Sequence, residues 1–110
     1  MTTALKVLGQ VFPAATTLTP IYTVPSGKQA TCSTVMVCNQ SAMPTTFRIS
    51  VAIAGAADNL PQYLYYDFPI AGADTFAATI GISLGSLDVV RCYAGTASLS
   101  FNLFGAEKTP

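Results

Sequence analysis

The side chains able to act on a substrate are few and far apart. General acid–base catalysis needs groups that titrate near neutrality, and this 110-residue chain has no histidine and only five carboxylates: Asp58, Asp67, Asp74, Asp88 and Glu107. Asp58, Asp74 and Asp88 fall in turn contexts, where a short carboxylate bonds nearby backbone. Serines and threonines abound, but a hydroxyl nucleophile needs a base beside it, and neither a histidine nor a plausibly buried lysine is available. The carboxylates are too widely spaced for a calcium loop. Cys32 and Cys38 share one expected strand, roughly 20 Å apart, beyond the ~7 Å limit for a disulfide, and Cys92 leaves an odd count. With no histidine and no Cys-x-x-Cys spacing, zinc has no ligand set. The expectation is a non-enzyme with no cofactor or metal and three reduced, structural thiols.

What remains is chemistry of contact. In residues 62–70, Tyr63, Tyr65 and Asp67 alternate with Leu64, Tyr66 and Phe68, so an ideal strand puts two tyrosines and a carboxylate on one face. Such a face suits a protein interface, strand packing with hydroxyls at the rim, or a sugar. No polar groups that would orient a sugar are evident. Arg48 and Arg91 lie on expected strands, opposite apolar rows. With Val35, Val37, Tyr63, Tyr65 and Asp67 they form the suspected interface set.

Charge supports contact over catalysis. Charged residues are 9% of the chain, five basic and five acidic with zero net charge, against a usual share of about 25%. A free domain keeps its surface charged to stay dispersed, so neighbours are expected to cover much of this one; a Thr/Ser-coated monomer is the alternative. Lys6, Lys28, Arg48, Arg91 and Lys108 are scattered singly, which argues against nucleic acid. No apolar run approaches the ~20 residues of a membrane helix. The first residues lack the basic start and apolar core of a secretory signal, so assembly in the cytoplasm is expected.

The elements that position these groups read as β throughout. Pro25-Ser26-Gly27-Lys28 is a turn between strands at 21–24 and 30–39. Residues 35–38 are continuously apolar, the mark of a strand buried on both faces. Phe47, Ile49, Val51 and Ile53 alternate with Arg48, Ser50, Ala52 and Ala54, and Leu99, Phe101 and Leu103 with Ser100 and Asn102, giving two half-buried strands whose apolar rows are core. Further short strands are expected at 75–80, 82–84 and 88–94. Seven or eight such strands with Gly and Pro between them make an all-β fold, a two-sheet antiparallel β-sandwich with Greek-key or jelly-roll connections. Residues 1–17 are expected to form an extended strand or arm, 18–104 the sandwich, and 105–110 a tail disordered unless a partner holds it.

Residues 18–104 resemble a group of small tailed-phage and prophage virion structural proteins. The resemblance rests on ordered segments, among them Ile21-Tyr22-Thr23-Val24-Pro25-Ser26-Gly27, Val35-Met36-Val37-Cys38-Asn39-Gln40-Ser41, Thr45-Thr46-Phe47-Arg48-Ile49, Tyr65-Tyr66-Asp67-Phe68-Pro69-Ile70, Gly81-Ile82-Ser83-Leu84 and Asp88-Val89-Val90-Arg91. It implies a structural subunit of the virion at the tail, neck or baseplate, or else a decoration of the capsid surface. It also implies partners that are other virion proteins and further copies of the chain, most simply as a homotrimer. A carbohydrate-binding module at a tail tip, using Tyr63 and Tyr65, is the reading from another class.

Overall fold

The computed structural model describes residues 2–110. The middle of one sheet is β3 (Gln29–Asn39), where β-branched residues crowd a strand entered from the Pro25–Gly27 turn. One side of β3 pairs with β9 (Leu99–Thr109); the other takes β6 (Thr75–Ala78) and β7 (Ile82–Leu84) end to end, against residues 35–38 and 30–32. β1 (Thr2–Val11) adds to the free side of β9. The second sheet runs β2 (Thr19–Thr23), β8 (Val89–Ala94), β4 (Thr45–Ala52), β5 (Tyr63–Ile70). Every strand ladder is antiparallel. Counting β6 and β7 as one interrupted strand leaves eight positions, ordered β1-β9-β3-β6/β7 and β2-β8-β4-β5. That order is a jelly roll, one of the two connections expected.

The facing sides interdigitate around Phe47. Its ring lies 5.2 Å from Phe76, 5.5 Å from Phe68, 6.1 Å from Phe101 and 6.2 Å from Tyr65, so one side chain joins rings from both sheets. Such pairs contribute roughly 0.5–1.5 kcal/mol each beyond area burial. Ile49, Leu99, Phe101 and Leu103 are buried as their alternation predicts. Cys32 and Cys92 enter the core from opposite sheets, and burial pushes the Cys92 thiol up to about 12. All three cysteines are free. At one end of the core, buried Asn39 ties three loops together: its Nδ2 donates to the Met43 and Ala71 carbonyls at 2.8 and 3.1 Å, and its Oδ1 accepts from Ser41 N–H and Ser98 Oγ at 3.0 and 3.1 Å.

Three expectations need correction. Residues 35–38 are not covered on both faces. Val35 and Val37 point inward and are fully buried, while Met36 and Cys38 lie half-buried on the outer side of the sheet. The Phe47 row does not reach Ile53, which is 77% exposed: β4 stops at Ala52, and a 3-10 turn with Ala54 at φ 50° swings the chain out. Asp88 fixes that exit, accepting from Ala54 N–H at 2.9 Å and from Gly85 N–H at 2.8 Å. Nor is there a disordered tail through Thr109. β9 runs that far, paired with β1 on one side and with the start of β3 on the other. Gly105 is needed there, because a Cβ would strike the Thr31 carbonyl oxygen.

Candidate functional site

The outer face of the β4–β5 half of the sandwich gathers most of the polar and aromatic groups singled out from sequence. Their placement depends on two irregularities in β5. Phe47 pairs with Phe68 but Ile49 with Tyr65, and Ser50 then pairs with Tyr63, so β5 carries one extra residue in each interval. Each β-bulge shifts the side-chain alternation by one. Tyr65 is consequently half-buried against the core, and Phe68, still 37% exposed, lies beside it at the rim of the Phe47 cluster, with ring centroids 5.4 Å apart. Tyr63 and Tyr66 meet on the other side at 5.1 Å, edge to face. The expected face of Tyr63, Tyr65 and Asp67 therefore does not form.

On that outer face β8 and β4 place Tyr93 beside Arg48. The Arg48 guanidinium lies between two rings, 4.1 Å from the Tyr66 centroid and 4.4 Å from that of Tyr93. Asp67, at φ 50° in the first bulge, grips the guanidinium with both oxygens: Nε–Oδ1 is 2.7 Å and Nη2–Oδ2 is 3.3 Å. This fork geometry suits arginine and not lysine. The hydrogen bond from Arg48 holds the Asp67 carboxyl below its usual range. Tyr63 donates its hydroxyl to Asp58 Oδ1 at 2.8 Å; burial, then that carboxylate, raises its pKa. Arg48, Asp58, Asn59, Leu60, Tyr63 and Tyr66 line a pocket of about 220 Å³.

Arg91 serves the same face differently. Its Nη1 and Nη2 donate to the Ala56 and Gly55 carbonyls at 2.9 and 3.3 Å, holding the 53–62 loop down. Ser50 and Ala52, on the outer side of β4, are fully buried, and Ser50 Oγ has no hydrogen-bond partner among the described residues. Part of the cover expected from another chain is thus supplied by this chain's own loop.

Of the suspected interface residues, Arg48, Tyr63 and Asp67 come together on this face and Arg91 braces it. Tyr65 packs in the core, and Val35 and Val37 are fully buried in the protomer, so neither valine has surface to offer a partner. Sequence reasoning missed Tyr66, Tyr93 and Asp58. Tyr93 had a signal, since it alternates with Arg91 on one face of β8. Among the described residues no three His, Cys, Asp or Glu side chains gather as a metal site. Within the cluster Arg48 is paired with Asp67 and Tyr63 with Asp58.

A second polar cluster lies at the other side of the molecule. Glu107 is buried to 8% exposure, accepts the Tyr22 hydroxyl at 2.5 Å, and receives Lys6 Nζ on its other oxygen at 3.2 Å. The Tyr22 hydrogen bond, then Lys6, keeps its carboxyl below the usual range. The cluster joins β1 and the end of β9 to β2 of the opposite sheet.

No family model matches the chain. No curated protein matches it either. Among solved structures it is similar to two crystal structures of a pentameric capsid protein isolated from metagenomic phage sequences, one of them solved by iodide phasing. Both are 12% identical over 96% of this chain, with TM-scores of 0.43 and 0.41, and the chain spans 63% and 65% of the length of those proteins.

Proposed function

We propose that the chain is a non-enzymatic structural subunit of a bacteriophage virion that associates with copies of itself and docks on other virion proteins. The observation that carries this reading is the surface. Leu5, Ile53, Leu60 and Met43 are large, apolar and more than two-thirds exposed, on a chain with only ten charged side chains. Four of those ten neutralise one another in the Lys6–Glu107 and Arg48–Asp67 pairs, so the charge left to hydrate the surface is smaller still. A surface with this little charge is one that neighbouring proteins are expected to cover, and these side chains are apolar groups left for them to cover. The resemblance of the ordered segments to small virion proteins directs the reading to a phage particle.

The resemblance points first to the tail, neck or baseplate, with the capsid surface as the alternative. The jelly-roll order, an arrangement of viral capsid domains and also of lectins, supports the alternative by fold analogy alone. The three-fold order rests on the resemblance; nothing in the protomer selects three over two. Sedimentation of the purified chain tests self-association, with a mass well above the 11.4 kDa protomer expected and a monomer at high concentration overturning it. Peptide mapping of separated heads and tails tests the docking position, and absence from both removes the virion reading. The pocket beneath Tyr66, with the Asp58 carboxylate at its wall, favours a carbohydrate-binding module as second reading. A glycan array distinguishes them, because a purely structural subunit binds none.

A further inference from the structure

Among the described residues four edges end the two sheets, and they differ. A free strand edge is a row of unpaired N–H and C=O groups that natural proteins usually blunt. β5 carries two bulges, a left-handed Asp67 and Pro69, which has no N–H. β2 has five residues, with Pro20 and a register shift beside it. The edge opposite β1 is split between four-residue β6 and three-residue β7, with Gly81 at φ 63° between them. β1 carries one irregularity, a bulge between Val7 and Gly9, and none before it. Its ten residues include no proline, and from Thr2↔Thr109 to Val7↔Phe104 it pairs with β9 without a shift. Every residue of that stretch is exposed, Leu5 to 86% and Val7 to 46%. The edge is also held in place, because Lys6 and Tyr22 both bind Glu107, so little ordering cost remains on pairing.

We propose that β1 is the self-association edge, pairing antiparallel with β1 of a second copy about a two-fold axis at Leu5, so that the two β1-β9-β3 sheets become one. This rests on the reading that the chain self-associates. The occupant follows from the edges: strand pairing needs two open ones, each protomer has one, and the contact is therefore isologous. The register follows from charge and regularity. Centring on Leu5 sets Leu5 against Leu5, Thr3 against Val7 and Ala4 against Lys6, within the unshifted stretch. Centring on Lys6 would oppose two ammonium groups. Lys6 reaches Glu107 on the core side, so Thr3, Leu5 and Val7 occupy the outer side of the sheet, and the two-fold keeps them there. Assemblies are then built in pairs, and three-fold order requires three such pairs.

Introducing a charge at Leu5 tests this, since a side chain 86% exposed is replaced without touching the core. At a concentration where the wild type sediments as an even multiple of the protomer, L5K and L5E should each lose association at least tenfold, and an equimolar mixture of the two should restore it. A77K, exposed on β6 at the opposite edge of the same sheet, should associate like the wild type. An L5K variant that associates as the wild type does, or a mixture that stays dissociated, overturns the β1 contact while leaving self-association standing. A wild type that remains monomeric overturns both.

Discussion

β5 and β1 are both outermost strands with one free edge, and they are built in opposite ways. β5 is bent by two bulges, lacks an N–H at Pro69, and puts its displaced side chains to use: Tyr65 packs against the core with Phe68 at its rim, while Tyr66 and Asp67 clasp Arg48. β1 is straight and regular over its first six residues and sends almost nothing into the core before Leu8. An edge broken by bulges and a proline offers no continuous unpaired row. An edge left regular, apolar and anchored is suited to receive a strand. The chain is thus closed at one side and open at the other.

The widest gap between the two regions should appear in stability. Phe47→Ala removes the ring shared by both sheets at the β5 end, and urea unfolding should show a loss of about 3–5 kcal/mol. The same measurement on L5K should show almost none. Next comes the anchor of β1. Glu107→Gln should cost about 1–3 kcal/mol at pH 7, because the Tyr22 and Lys6 hydrogen bonds lose their charged acceptor. The Glu107 carboxyl lies below its ordinary range in the folded chain, so its stabilisation is complete above the unfolded carboxylate pKa and is lost as pH falls through the folded one. The gap between wild type and Glu107→Gln should therefore close on acidification, whereas a gap unchanged in acid would remove the anchor role.

Tyr66→Ala tests whether the clasp at β5 is structural. Arg48 keeps Asp67 and Tyr93, and the lost stacking, at a half-exposed ring, should cost below about 1 kcal/mol in thermal unfolding. A loss comparable to that of Phe47→Ala would mean that the outer face carries the fold. The smallest effect has the opposite sign. Ser50→Ala removes a buried hydroxyl with no partner, so stability should hold or rise by up to about 1 kcal/mol.

The closed side and the open side were not equally legible in sequence. Alternation in 99–103 identifies Leu99, Phe101 and Leu103 as core because each sits in a regular ladder, and the sandwich follows from strands of that kind. The β5 cluster was misread because a bulge belongs to a pair of strands and not to one: nothing in Tyr63-Leu64-Tyr65-Tyr66-Asp67 states that β4 will skip twice beside it. Ile53 follows its row in sequence but leaves it where Asp88, 35 residues on, captures the Ala54 amide. Residues 105–109 look like a tail because Gly, Ala and Lys have weak strand preference; their order comes from β1 and β3, both distant in the chain.

Hydrogen exchange followed by mass spectrometry at several protein concentrations tests the open edge most directly. Peptides covering Thr2–Val11 and Tyr63–Ile70 report the two edge strands in one experiment. The account predicts that exchange in β1 slows as concentration rises while exchange in β5 stays constant. Exchange in β1 that is equally fast at every concentration, or protection that grows at β5 instead, would contradict it.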